Sequence, residues 1–132
     1  MAPAFPFDPP IPTIDPDNRS YWEAADRGEL TYSHCRDCDR PFFYPRSFCP
    51  FCFGDNVELL RASGKGEIYA VTIVRRADPV YALAYVRLAE GPTMFTNIVE
   101  CDFDKVKIGQ AVEVTFSPGD TGQLVPRFKP LG

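Results

Sequence analysis

From residue 57 onward, apolar and polar positions alternate with a period of two, the signature of half-buried strands. The alternation is clearest over Ala111–Ser117, where Val112, Val114 and Phe116 face one way and Glu113 and Thr115 the other. Val80–Leu88, Pro92–Val99 and Leu124–Lys129 read as further strands. Val57–Ala62 and Gly66–Arg75 read as one long strand bent at Gly64 and Gly66, because glycines inside a strand pattern mark bulges or kinks. Five strands joined by polar or glycine-containing connections predict a small closed barrel of the OB type. An SH3-like barrel or an open sandwich is the competing fold. Asp102–Gly109 falls between the third and fourth strands, where an OB barrel places a helix or a turn.

Upstream the pattern changes. Residues 18–30 predict a short helix with Tyr21, Trp22, Ala24 and Ala25 on its apolar face. Ser20 and Glu23 have the spacing of a capping box, and Gly28 is the expected stop. A helix this short needs a neighbour to pack on, and the adjacent cysteine segment is the obvious support. Before it, Pro3, Pro6, Pro9, Pro10, Pro12 and Pro16 predict an extended arm, since proline fixes φ and lacks an amide donor. The arm also carries Phe5, Phe7 and Ile11. Such a segment wraps over its own domain or a partner, or stays a disordered tail.

The chemistry-bearing signal is Cys35-Arg-Asp-Cys38, followed after ten residues by Cys49-Pro-Phe-Cys52. Two residues between cysteines let both thiolates of a knuckle reach one ion, and two such pairs close a tetrahedral site that suits structural zinc. Iron is the rival metal for four sulfurs. A dithiol redox motif needs a Cys-x-x-Cys at a helix start within a βαβ pattern, which is missing. The residue after each second cysteine tends toward positive φ, where glycine is favoured. Asp39 tolerates that region and Phe53 does not, so Gly54 is expected to take the second turn.

Charge narrows the function. The net charge of −4 opposes general nucleic-acid binding, which depends on Lys and Arg. No apolar run approaches the roughly 18–20 residues of a membrane span, and no secretory signal is visible, so a cytoplasmic location with reduced cysteines is expected. Cys101 stands alone and reads as a buried apolar thiol. His34, the single histidine, reads as solvated or set behind the ligands rather than as a base, and no catalytic set stands out. Tyr21 and Trp22 can line an acyl groove or pack in the core. Arg75 and Arg76 can reach a phosphate or merely solvate a barrel rim.

Taken with these motifs, Tyr44-Pro45-Arg46, Gly64-Lys65-Gly66, Glu90-Gly91-Pro92, Thr96-Asn97-Ile98-Val99, Ile108-Gly109 and Pro126-Arg127-Phe128 complete a pattern over about residues 18–130. It resembles the DUF35 family of acyl-CoA-associated zinc-ribbon/OB-fold proteins. The resemblance implies a mainly β fold: a short N-terminal helix, a rubredoxin-like zinc ribbon and a C-terminal five-stranded OB-fold barrel. The corresponding division is an arm over 1–17, helix and ribbon over 18–56, and the OB-fold domain over 57–132. The metal ligands carried over are Cys35, Cys38, Cys49 and Cys52; no catalytic residue carries over. The implied role is a non-catalytic subunit of an acyl-CoA-processing complex, bound most often to a thiolase-like enzyme and otherwise to a MaoC-like hydratase or an aldolase. A CoA thioester is the implied ligand, with Tyr21, Trp22, Arg75 and Arg76 as weak contact candidates. The alternative is a single-stranded nucleic-acid-binding OB-fold protein, with aromatics stacking on bases. An electron carrier with iron at the cysteines is the third reading.

Overall fold

The computed structural model describes residues 14–118 and 122–131. The predicted arm falls almost wholly outside them. Among the described residues, one helix, α1 (Arg19–Asp26), is followed by eight strands: β1 (Thr31–Cys35), β2 (Arg40–Phe42), β3 (Val57–Arg61), β4 (Lys65–Val74), β5 (Tyr81–Leu88), β6 (Thr93–Ile98), β7 (Ala111–Pro118) and β8 (Leu124–Pro130). They make a three-stranded sheet of order β2-β1-β3 and a closed barrel of order β4-β5-β6-β8-β7.

The barrel has the five predicted strands. It is antiparallel except where β6 meets β8 in parallel, Ile98 opposite Phe128, and this pair closes the circle. Alternation decides its interior. Along β5, Ala82, Ala84, Val86 and Leu88 are buried while Tyr85 and Arg87 are exposed. Ile68, Ile98, Val112 and Phe128 complete the core, and Val114 and Phe116 pack on it from the face the pattern assigns them. Each fully buried valine, leucine, isoleucine or phenylalanine among them contributes about 1.5–3 kcal/mol. A single 3₁₀ turn, Phe103–Lys105, fills the predicted place between the third and fourth barrel strands. Half-buried Cys101 packs against the core beside it.

Two local expectations are corrected. The alternation predicts one bent strand from 57 to 75, but the structure holds two strands in two sheets. Val57–Arg61 pairs antiparallel with β1, Cys35 opposite Val57, and so completes the ribbon. Gly64 and Gly66 mark the crossing from one sheet to the other. Gly64 has φ of 83°, and a Cβ on it would lie 2.6 Å from Val114 Cγ1. A Cβ on Gly66 would lie 2.5 Å from the Arg87 carbonyl oxygen, so only glycine lets β4 approach β5 here.

The capping box is displaced as well. The helix starts at Arg19, which puts Ser20 and Glu23 inside it, and no side chain caps its amides at Asn18. The reciprocal pair forms in the preceding turn. The Asn18 amide donates to Asp15 Oδ1 at 3.0 Å, and the Asp15 amide donates to Asn18 Oδ1 at 2.9 Å. The other end follows the prediction. Gly28, at φ of 75°, donates its amide to the Ala25 carbonyl, and Glu29 donates to Ala24, the paired bonds of a Schellman motif.

Helix α1 buries Tyr21, Trp22, Ala24 and Ala25. Its support is wider than the cysteine segment, because it touches both units. Asp26 Oδ1 accepts from the Leu124 amide at the start of β8, and Gln123 Nε2 donates to the Trp22 carbonyl. On the ribbon side, Trp22 Nε1 donates to the Tyr44 hydroxyl at 3.1 Å.

Replacing Gly66 with Ala forces β4 from β5 and is expected to cost about 1–3 kcal/mol, the usual range for overpacking. The measurement is the denaturant midpoint of the purified protein; an unchanged midpoint would show that the two strands have room to spare.

Candidate metal centre and aromatic surfaces

The cysteines come from two loops of one shape. Cys35 ends β1, the chain doubles back through Cys38, and the Asp39 amide donates to the Cys35 carbonyl at 2.9 Å. In the second loop the Phe53 amide donates to the Cys49 carbonyl at 2.9 Å, and Cys49 donates to the Gly54 carbonyl at 2.8 Å. The loops are tied together beside the sulfurs. The Arg36 amide donates to the Asn56 carbonyl, and Asn56 Nδ2 donates to Asp37 Oδ1.

All four sulfurs lie within 4.8 Å of one another. Cys35 and Cys52 approach to 3.7 Å, and Cys38 and Cys49 to 3.6 Å. Thiolates 2.3 Å from a central zinc stand about 3.8 Å apart along a tetrahedral edge, so this donor set fits the ion. Four sulfurs leave no position for water, which supports a structural role.

Backbone amides stabilise negative sulfur. The Phe51 amide donates to Cys49 Sγ at 3.3 Å. Burial opposes ionisation of Cys49, but the Cys52 and Phe51 amides and the neighbouring sulfurs outweigh it and bring its pKa down to about 7. Burial, with hydrogen bonds to the other three sulfurs, pushes Cys38 up to about 12. Without metal the cluster therefore retains protons that a cation must displace.

Residues Asp39 and Phe53 both adopt positive φ, 56° and 62°. The expectation that Gly54 takes the second turn is thus incorrect: Phe53 takes it. Gly54 is small for a different reason, since a Cβ there would lie 3.1 Å from Asp37 Oδ2 and 3.4 Å from Cys52 Sγ. The Phe53 ring is 79% exposed, with Phe48 and Phe51 exposed in the same loop. A bulky side chain in a left-handed conformation costs about 1–2 kcal/mol, and here it gains little burial in return.

His34 lies behind the first knuckle, not in it. Its Nε2 is 2.8 Å from Asp39 Oδ1 and its Nδ1 is 3.0 Å from Glu58 Oε2, while the other oxygen of Glu58, Oε1, accepts from Arg36 Nη2 at 3.0 Å. Hydrogen bonds to Asp39 and then to Glu58 raise the imidazole pKa above 6.5. The raised value means that this contact stabilises the fold fully below about 6.5 and ceases to do so as pH rises through the folded-state value.

The four weaker candidates separate. Tyr21 and Trp22 are only 3% and 8% exposed, with ring centroids 4.9 Å apart in an edge-on contact. They form the floor of a groove of about 330 Å³ between helix, ribbon and barrel, rimmed by Tyr44, Phe95 and Pro126. Arg75 and Arg76 lie elsewhere, exposed on the β4–β5 turn, where Arg75 pairs with Asp104 at 3.2 Å. The barrel's outer face carries exposed Tyr69, Tyr85 and Phe95, aromatics that the sequence reading did not single out. Tyr85 and Phe95 are direct cross-strand partners with centroids 5.1 Å apart. The usable signal was an aromatic at the polar step of an alternating strand, Tyr85 between Ala84 and Val86 and Phe95 between Met94 and Thr96. Tyr69 gave a weaker signal, because it occupies the bulge between Ile68 and Ala70.

A rubredoxin-like ribbon joined to an OB barrel defines a class of protein, and sequence comparisons agree. The profile of the ChsH2 rubredoxin-like zinc ribbon domain matches residues 22–58, and that of the ChsH2 C-terminal OB-fold domain matches residues 61–117. A DUF35 domain-containing scaffold protein of Methanothermobacter thermautotrophicus is 33% identical over 122 residues, covering 84% of this chain and 92% of its own. Another, from Methanocaldococcus jannaschii, is 31% identical over 126 residues, covering 86% and 89%. The chain belongs to the DUF35 family. It is also 29% identical over 126 residues to a probable enoyl-CoA hydratase alpha subunit of Thermomonospora curvata; the match takes in 92% of this chain but only 40% of that relative's length. Among solved structures, a chain of the Ltp2-ChsH2(DUF35) aldolase aligns with a TM-score of 0.80 at 29% identity, over 91% of this chain and 98% of that one. A DUF35 protein of Sulfolobus solfataricus, at 18% identity and a TM-score of 0.67, has the same fold. Among the described residues no helix is long and apolar enough to cross a membrane.

Two outcomes are expected at this site. Cys38→Ser or Cys49→Ser removes one of four sulfur donors and should release bound metal and melt the ribbon. In the unmodified protein the metal content, followed with a chromophoric chelator, should fall as acid returns protons to the thiolates. A serine variant with stoichiometric zinc and an unchanged melting curve would contradict the assignment. For His34, an NMR titration should place the imidazole pKa above 6.5 and Glu58→Gln should lower it.

Proposed function

We propose that this chain is a non-catalytic subunit of an acyl-CoA-processing enzyme complex, with one structural Zn²⁺ held by Cys35, Cys38, Cys49 and Cys52 and a thiolase-like enzyme as its partner. The observation that carries the reading is the near end-to-end likeness to a chain of the Ltp2-ChsH2(DUF35) aldolase. The names of the relatives extend the partner class to a hydratase and an aldolase, both of which act beside acyl thioesters in the implied family role. In such an assembly the reacting groups belong to the partner. This chain supplies a rigid surface that shapes the acyl-CoA site or bridges subunits, and Tyr21 and Trp22 come within reach of an acyl chain only through the groove they floor.

The exposed aromatics support a docking role. Phe48, Phe51 and Phe53 project from the second knuckle, and Tyr69, Tyr85 and Phe95 from the barrel. Aromatic side chains concentrate at interface hot spots. Phe53 is the most telling: the knuckle imposes a positive φ that glycine would meet without cost, so an exposed phenylalanine ring at that position supports a use outside the chain's own stability. The nucleic-acid reading draws on the Tyr85–Phe95 pair, which lies on the strands where OB barrels bind oligonucleotides. The net charge of −4 opposes it.

The test is co-purification with the thiolase-like, aldolase or hydratase proteins encoded beside this chain, followed by CoA-thioester binding to the complex. Failure to bind any of them would sink the proposal, and a salt-dependent shift of a single-stranded oligonucleotide would favour the alternative. Phe53→Gly separates stability from docking. Relief of the positive φ should leave the melting temperature unchanged or higher, while loss of the ring should weaken partner affinity about tenfold or more. Unchanged affinity would remove Phe53 from the interface.

A further inference from the structure

The four sulfur donors are not equivalent. Cys35 and Cys49 are fully buried, Cys38 is half-buried and Cys52 is exposed. The difference follows from position. Cys35 ends β1 within the ribbon sheet, whereas Cys52 lies between exposed Phe51 and Phe53 in the second loop. Gly54, two residues on, puts no side chain beside the Cys52 sulfur. A Cβ there would lie 3.4 Å from Sγ, in van der Waals contact, so the glycine leaves that side of the sulfur uncovered.

A thiol that coordinates a metal ion is held as thiolate. Oxidation of cysteine follows thiolate character and exposure together. All four ligands share the first property once metal is bound, and among them only Cys52 is exposed. An oxidised cysteine becomes a reversible switch when a second thiolate stands close enough to resolve it. Cys35 Sγ is 3.7 Å from Cys52 Sγ, on the other loop.

We propose that Cys52 is an oxidative modification site at which a hydroperoxide opens the metal centre, with Cys35 as the resolving thiolate. The Cys52 thiolate attacks one peroxide oxygen, the O–O bond breaks, and hydroxide leaves with the electron pair, giving a sulfenic acid. The Cys35 thiolate then attacks that sulfur, the S–O bond breaks, and a second hydroxide leaves as the disulfide forms. The two thiolates together lose two electrons, and hydrogen peroxide plus two protons from solvent becomes two molecules of water. The sulfurs close from 3.7 Å to about 2.0 Å, and the cation loses two of its four donors. Because the new bond joins the two loops, it keeps them together while the metal is absent, so a dithiol reductant restores the site. The inference goes beyond the accessory role and stands or falls without any partner enzyme.

The test uses the full, zinc-loaded chain and hydrogen peroxide. Dimedone should trap a sulfenic acid at Cys52, and without the trap peptide mapping should find a Cys35–Cys52 disulfide. One zinc should be released per disulfide, and dithiothreitol with added zinc should reverse both changes. Gly54→Ala places a methyl group against the sulfur; Asp37 Oδ2, 3.1 Å from it, belongs to an exposed side chain that can shift. This variant should slow zinc release about fivefold, since reactivity depends on access to the thiolate. Cys101→Ser should leave the rate unchanged. Zinc retained through excess peroxide, a first disulfide or sulfenic acid at other cysteines, or release that requires Cys101 would overturn the proposal. So would unslowed release from a zinc-loaded Gly54→Ala chain; if that variant does not take up zinc, the mapping on the unaltered chain decides.

Discussion

Four sulfur atoms drawn within 4.8 Å of one another are the constraint on which the N-terminal half depends. Strands β1, β2 and β3 are five, three and five residues long. Little apolar surface is buried among them beyond Phe42, Leu30 and the two sulfur-bearing residues Cys35 and Cys49. Three strands of this size have too small a core to offset the entropy of ordering them. A four-thiolate cage provides the missing free energy only when all the donors converge. That requirement explains why the two loops share one hydrogen-bond pattern, and why Phe53 is held in a conformation it disfavours.

The barrel obeys a different rule. Its stability comes from alternation and closure: one face of each strand turns inward, and the parallel contact of Ile98 with Phe128 removes the last open edges. Two units with such different sources of stability need a joint, and α1 is that joint. Its C-terminal end is hydrogen-bonded to the start of β8, and its N-terminal end meets Tyr44 of the ribbon. Eight residues are too few for a helix to persist alone, so the contacts on both sides keep it folded while it fixes the two units relative to each other.

The groove is a consequence of this arrangement. Where helix, ribbon and barrel meet, their aromatic residues cannot close-pack completely, and a slot walled by rings stays open. The exposed aromatics follow from a separate economy. Tyr85 and Phe95 take outward positions on alternating strands, where they touch each other across the strand pair rather than the core.

The sequence by itself determined which four cysteines converge, the number of barrel strands, the barrel type and the stop at Gly28, because each is written in local spacing: two residues within a cysteine pair, a period of two in a strand, one glycine after a helix. Tertiary structure decided the rest. Val57–Arg61 alternates equally well for either sheet, and only its pairing with β1 assigns it to the ribbon. The Ser20–Glu23 spacing matched a capping box, but the reciprocal bonds between Asp15 and Asn18 set the helix entrance earlier. Phe53 adopts a positive φ against its own preference, since the position of a sulfur ligand outweighs a local cost of about 1–2 kcal/mol. Tyr21, Trp22, Tyr44 and Phe95 are 74 residues apart from first to last, and a groove built from them exists only once three elements have packed. Local patterns encode what neighbouring residues impose on one another; a surface made of distant side chains has no such pattern to read.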